Sequence, residues 1–443
     1  GVILLEPHGA GGPPPIELVR KAIEARLDRL PRYRQRLSEP RTGGLRWQAW
    51  EPDPAFDIAR HVRAEGLPAP AGIDELREWA GQYYSVRLDR SRPLWEMIVL
   101  GLADGRWAMV SKTHHALVDG VGSVDAAKVL LDPVRDGLPP VLASAADEPS
   151  PPEREEPVGP VFRAASASLR LTGRAIAAAA HTVERAGSAI GAATDPHRVA
   201  DAARQARAAA ELIVRDELVA APATSLNDPI GAHRRLALVE VELATLKGIK
   251  SVLGGTVNDV VLAATAGGLR ELLLERGEEP PAEGLRAMVP VNIRPAADRL
   301  SLGNRITSLF VHLPVAEEAP LARYHAQVEE AEGLKSSTQV VGSRGIIDLA
   351  GLAPPALHSF LARSLFATRL FNVTITNIPG PQTALYALGC EVSEIWPLVP
   401  LAASHAVGLA VLSYNGKVFL CINADHDTVP DVDTLRGGIE REI

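Results

Sequence analysis

Residues 111–123 read SKTHHALVDGVGS. The chain has only twelve histidines, yet His114 and His115 stand side by side after an apolar run, with Asp119 and Gly120 just beyond. A neutral imidazole titrates near physiological pH, so it has the chemistry to take a proton from an alcohol. If RWAMVSKTHH is a strand, alternation points His115 with Ser111 and Thr113 and turns His114 to the opposite face. The pair is then split, one histidine in a site and the other in structure. Gly120 supplies a turn that a side chain would block, and a helix is expected to begin near Ser123, a good N-cap residue. Three readings compete. His115 is a general base whose loop is held by Asp119; or the stretch ligates a metal, if the strand ends early; or both histidines are hydrogen-bonded inside a core. The metal reading lacks a second His, Cys or Asp cluster to complete it.

The elements that must carry this stretch follow an α/β pattern. Before it, IELVRKAIEARLDRL has helical spacing, and LWEMIVL and RWAMVSKTHH read as strands. These belong to an N-terminal unit, residues 1–132. Residues 133–232 form a linker, first charged and Pro-rich (DEPSPPEREEPVGP), then helical. Phe162, Leu169, Ile176, Val183 and Ile190 recur every seven residues, one stripe of a long amphipathic helix. That stripe lies either against the protein itself or, with Arg163, Arg170, Arg174 and Arg185 around it, on a membrane surface. A second helix is expected in VADAARQARAAAELIVRD. Residues 233–443 form a C-terminal unit, with strand RLALVEVEL, helix VNDVVLAATAGGLRELLLER, strands LRAMVPVNI and FNVTITNI, a hairpin turned by YNGK as type I′, and a last helix.

Composition excludes several functions. The 443 residues, 46% hydrophobic, suffice for two or three domains. A net charge of −8 with no dense basic block argues against nucleic acid. Cys390 and Cys421, the two cysteines, make no disulfide framework and no metal spacing, which fits a reducing, cytoplasmic setting. No apolar run approaches the ~20 residues of a membrane span. The chain opens with GVILLEP, a strand already in progress, so residues are expected before Gly1.

HHALVDG resembles the HHxxxDG motif of the CoA-dependent acyltransferase superfamily, which includes chloramphenicol acetyltransferase, plant hydroxyl acyltransferases and peptide-synthetase condensation domains. RPLWEMIVLGL, SLNDPIGAHRR, GTVNDVVLAATAGGLR, MVPVNIRP, NVTITNIPGPQTALYALG and LSYNGKVFLCINADHDTVPD, in that order, are similar to one branch, the bacterial wax ester synthase/diacylglycerol acyltransferase family. The resemblance covers essentially the whole chain. It departs at the start, where the family's short segment with a Leu-Asp pair near an aromatic residue is absent.

The resemblance implies two chloramphenicol-acetyltransferase-like domains with an active-site channel between them. It implies an acyl-CoA-dependent esterification of diacylglycerol to triacylglycerol, with long-chain alcohols giving wax esters, and neither metal nor tightly bound cofactor. It makes the second histidine, His115, the base, with His114, Asp119 and Gly120 supporting the motif. Asp119 is implied to ion-pair with Arg294 of VPVNIRP, which otherwise is a surface arginine before a turn proline. Thr376, just before the Pro-Gly-Pro turn, matches the place of an oxyanion donor, with Asn377 as the alternative; turn stabilisation is the plainer role of both. Asn258 and Asp259 open a helix whose N-cap is Thr256 or Asn258, and they contact substrate if capping is not their whole role. Pro93–Trp95 is a structural anchor, and His405 is structural. Other classes are a condensation-type enzyme using carrier-protein thioesters and a non-catalytic lipid-binding protein of this fold. With no Gly-x-Ser-x-Gly elbow and no histidine beside either cysteine, direct transfer in a ternary complex is expected. Peripheral attachment to a membrane or lipid inclusion is expected through the 161–190 stripe.

Overall fold

The computed structural model describes residues 1–7, 11–39, 48–117, 120–136, 220–292, 306–336 and 370–443. The Pro-rich linker, the heptad helix, the second linker helix, Asp119 and Arg294 all lie outside these residues.

Apolar runs become strands β1 (Val2–Leu5), β4 (Val62–Glu65), β5 (Trp95–Gly101) and β6 (Trp107–Thr113), with a small ribbon of β2 (Gln35–Leu37) and β3 (Trp50–Pro52) between β1 and β4 in the chain. Later in the chain come β7 (Arg234–Glu242), β8 (Leu285–Asn292), β9 (Ile306–Leu313), β10 (Val373–Pro379), β11 (Tyr386–Ala387), β12 (Cys390–Trp396), β13 (Val407–Tyr414) and β14 (Lys417–Asp425). Helical spacing becomes α1 (Ile16–Glu24), α2 (Ile73–Ser85), α3 (Gly120–Leu130), α4 (Leu243–Leu253), α5 (Val257–Glu275), α6 (Pro320–Ser336) and α7 (Val432–Glu442).

The strands form two six-stranded sheets. The first runs β11-β12-β1-β6-β5-β4 and the second β7-β14-β13-β10-β8-β9. The N-terminal unit is therefore not contiguous, as a division at residue 132 expects. Two strands from the last segment join it, and β1 lies between β12 and β6. An edge strand exposes unpaired backbone groups, and β12 covers that edge of β1.

Register sorts the second sheet's two faces. Ala410 lies opposite Thr376 and Cys421, and Cys421 lies opposite Leu238. Leu236, Leu412, Phe419 and Cys421 pack into the same core as the first sheet, and Phe419 meets Trp396 of β12 with ring centroids 4.9 Å apart. The alternate residues, among them Val239, Ile375, Leu409, Val411 and Ile422, share a second core with α5 and α7. One face thus looks at the first sheet and the other at helices. Each fully buried Leu, Ile or Phe in these cores contributes about 1.5–3 kcal/mol.

Helix α5 is buried nearly all round, as a core helix should be. Its Gly268 lets α7 approach closely: a Cβ there would lie 2.8 Å from the Leu435 carbonyl. No single described helix is long and apolar enough to cross a membrane; α4 and α5 together pass on composition but are bent by 97°. The YNGK turn is type I′ as expected, with Asn415 at φ 46° and Gly416 at φ 84° between paired Tyr414 and Lys417.

Candidate active site

The histidine pair does not lie on the strand that precedes it. β6 pairs with β5 as far as Thr113 opposite Trp95, and then the ladder stops. The His114 N–H donates to the Leu94 carbonyl at 2.9 Å, and the Leu117 N–H returns to the His114 carbonyl at 2.8 Å, closing a turn. His114 Nδ1 accepts the Ala116 N–H at 3.1 Å. Both rings are exposed while Leu117 is buried. The split of the pair onto opposite strand faces is therefore not met, because alternation needs a ladder and this one ends before His114. Desolvation lowers the His114 pKa, and the Arg90 and His115 charges lower it further. Gly120 is the first residue of α3, so Ser123 stands inside that helix rather than at its start.

Two anchors hold the turn in place. On one side, Pro93, Leu94 and Trp95 are buried, as an anchor requires. The Trp95 indole donates to the Tyr33 carbonyl at 2.8 Å and stacks on the His61 ring at 4.7 Å, while His61 Nδ1 lies 2.8 Å from the Trp95 carbonyl. The Leu94 carbonyl that receives His114 is thus fixed by its neighbour. On the other side, α3 runs out to Asp132. Its carboxylate takes both a 2.7 Å and a 2.9 Å bond from Arg26, and its backbone bridges Tyr386 of β11 in both directions. One guanidinium nitrogen, Nη2, thus bonds both carboxylate oxygens, a charge-assisted contact that holds the end of α3 in place.

The second sheet supplies the other candidates. Thr376 lies on the face shared with Ala410 and Cys421, toward the first sheet, and is partly buried. Asn377, one residue on, must point the other way. Its amide donates to Asn258 Oδ1 at 3.1 Å. The two are therefore not interchangeable donors, and the structure joins Asn377 to Asn258 rather than to Thr376. Thr256 is the N-cap of α5. Its hydroxyl accepts the Asp259 N–H at 3.3 Å, and Asp259 accepts the Thr256 N–H at 2.8 Å, a capping box around a buried carboxylate. Capping thus occupies Asp259. β10 runs through Pro379 before the chain turns, and a Cβ on Gly380 would meet the Ser413 carbonyl at 2.3 Å, so only glycine fits there. Asn292 is the last described residue of β8, and Arg294 lies beyond the described residues.

His405 is buried, with Nδ1 2.6 Å from the Ala403 carbonyl and its ring stacked on Phe371 at 3.7 Å. Among the described residues no three His, Cys, Asp or Glu side chains gather as metal ligands. Burial pushes the Cys421 thiol up to about 12, so it is no thiolate nucleophile near neutral pH. Sequence reasoning missed His61 and Lys112; the aromatic density around Pro93–Trp95 is the signal that points to the first, and nothing local points to the partners of the second.

This architecture has known counterparts. The wax ester synthase/diacylglycerol acyltransferase catalytic-domain profile matches residues 1–261, and the C-terminal-domain profile of the same family matches residues 302–443. A probable diacylglycerol O-acyltransferase of Mycobacterium tuberculosis is 31% identical over 440 residues, covering 98% of this chain and 88% of the relative. The wax ester synthase/diacylglycerol acyltransferase of Marinobacter aquaeolei superposes with a TM-score of 0.65 at 25% identity, over 100% of this chain and 92% of that one. The starter condensation domain of rhizomide synthetase, solved with C8-CoA, superposes at 0.56 with 16% identity, over 100% of this chain and 86% of that one; that likeness is one of fold.

Proposed function

Because the chain belongs to the wax ester synthase/diacylglycerol acyltransferase family, we propose that it moves the acyl group of acyl-CoA to the free hydroxyl of diacylglycerol. The product is triacylglycerol, and long-chain alcohols give wax esters as a second activity. The observation that carries the reading is the His114–His115 turn, solvent-accessible at the end of a strand whose first four residues, Trp107–Val110, are packed into the core.

His115 takes the proton of the acceptor hydroxyl. The alkoxide attacks the thioester carbonyl, and the tetrahedral oxygen accepts a hydrogen bond from Thr376. Collapse breaks the C–S bond, and the imidazolium returns the proton to the CoA thiolate. A base of this kind contributes about 10²–10⁴-fold and an oxyanion donor about 10²–10³-fold. Asp119 and Arg294 hold the histidine turn as an ion pair. His114 and Gly120 shape that turn, and Asn258 and Asn377 line the acceptor side. Residues 1–132 together with β11 and β12 act as the first unit, residues 133–232 as linker and the rest of 233–443 as the second unit, with the channel between the units. The apolar stripe of 161–190 attaches the protein from the cytoplasmic side to a membrane or lipid inclusion.

Both substrates are bound together, and no acyl-enzyme forms. The test is thioester release from acyl-CoA, crossed with diacylglycerols and alcohols, together with radiolabelled acyl-CoA given without acceptor. Acceptor-dependent release and a chain free of label after denaturation are expected. Stoichiometric label that survives denaturation and leaves on adding diacylglycerol overturns direct transfer. Activity with carrier-protein thioesters alone would favour the condensation-type reading, with which the fold is also compatible.

A further inference from the structure

Lys112 stands in β6 opposite Glu96, with only Thr113 between it and His114. Its side chain does not extend into water. Nζ donates to the Tyr83 carbonyl at 2.5 Å and the Val86 carbonyl at 2.8 Å, and it lies 3.8 Å from the centroid of the Tyr83 ring. Those carbonyls belong to the C-terminal end of α2, where the Tyr83 carbonyl otherwise takes only a long 3.3 Å bond from the Val86 N–H and the helix dipole favours a cation. The Tyr83 hydroxyl points at Glu96 from 3.4 Å, and Arg63 lies 3.5 Å from the same carboxylate, so the lysine is boxed in by its cross-strand neighbour.

The same helix grips the second sheet. Ser85 Oγ accepts the Arg234 N–H of β7 at 3.0 Å and donates to the Gly81 carbonyl at 2.7 Å. A Cβ on Gly81 would lie 2.6 Å from the Arg234 carbonyl, so α2 and β7 meet backbone to backbone. Arg77, a turn earlier, pairs with Asp433 of α7 at 3.0 Å. No ladder joins β6 to β7, which lie in different sheets. Their spacing therefore rests on side chains and on α2.

We propose that Lys112 is a positioning residue for His115: it ties the strand end that delivers the histidine turn to the helix end that holds β7, and so keeps His115 in register with the sheet face bearing Thr376. The inference rests on the acyl-transfer reading for its kinetic consequence. Misplacing a reacting group by about 1 Å can cost about 10²-fold, while removing a plain helix cap costs only stability.

Lys112→Met keeps the apolar stem and removes the donors. In the full chain its kcat, per folded molecule, is expected to fall about 10–100-fold, with KM for acyl-CoA and for diacylglycerol unchanged. Lys112→Arg, which can still donate to both carbonyls, is expected to recover most of that kcat. Adding Ser85→Ala to Lys112→Met should bring little further loss, because both cut one connection. A second measurement needs no substrate: the rate of diethyl pyrocarbonate modification, read by peptide mass spectrometry. At His115 it should change several-fold in Lys112→Met, while at the exposed His325 of α6 it should not. A wild type that transfers acyl to no acceptor, with the His115 rate still altered in the variant, sinks the acyl-transfer reading and leaves the positioning role standing. If kcat and the His115 rate both hold and only the melting temperature drops, Lys112 is a helix cap and the proposal falls.

Discussion

Two strand ends carry the residues to which the chemistry is assigned, and they are built on different terms. β6 stops at Thr113 and passes His114 and His115 to an exposed turn, held by the Leu94 carbonyl and by two short-range bonds to Ala116 and Leu117. β10 keeps Thr376 and Asn377 inside a parallel ladder with β13, opposite Ala410 and Val411. Where the ladder persists, the period of two decides which residue looks at the first sheet and which at α5. Where it ends, alternation decides nothing, and the turn's own hydrogen bonds take over. Adjacent residues thus part company at β10 and share a turn at β6.

The sharpest break between the two ends comes from His115→Ala. Acyl transfer should fall by about 10²–10⁴-fold with the melting temperature nearly unchanged, since the ring is exposed on a turn. A melt and a thioester-release assay check both halves, and residual activity within a few-fold of wild type removes His115 as the base. Thr376→Val should follow, with kcat lower by about 10²–10³-fold and the fold intact. Its neighbour supplies the control. Asn377→Leu loses the 3.1 Å bond to Asn258 on the helix side and should cost about 1 kcal/mol of stability, with a much smaller fall in kcat than Thr376→Val. Equal kinetic losses at the two positions would show that the faces are not functionally distinct.

Smaller effects sharpen the picture. Thr256→Ala removes the cap of α5 and should cost about 1 kcal/mol in chemical denaturation, with kcat per folded molecule retained. Acid provides the last test. Desolvation holds the pKa values of His61, His114 and His405 below the ordinary 6.5. The unfolded chain therefore binds more protons than the folded one in the window just below 6.5. The stability these groups confer is complete above that value and is lost as pH falls toward their folded values. Melting temperatures from pH 8 to pH 5 should decline through that window; a rise would contradict the burial of His61 and His405.

Much of the site was legible in the sequence, but unevenly. The helix start at Thr256, the buried Trp95, the hairpin at Asn415–Gly416 and the structural His405 were all readable, because a cap, a bulky aromatic anchor and a two-residue turn depend on a few neighbouring residues. The boundary between β6 and its turn was not. SKTHH continues the strand pattern without a glycine or proline to mark the stop, and Trp95 opposite Thr113 is where the partner strand begins. The start of α3 at Gly120 was obscured by Ser123, a residue suited to a cap but placed inside the helix.

The sequence by itself determined the period of each element, the motif HHALVDG and the order of segments shared with the family, since these are written in consecutive residues. Only the tertiary structure decided that β12 pairs with β1, that the Thr376 face of β10 turns toward the first sheet, and that Lys112 ends on α2 rather than in water. The physical reason is that pairing and burial across a long stretch of chain depend on which surfaces meet, and a local pattern fixes only that a face is apolar, not what will cover it.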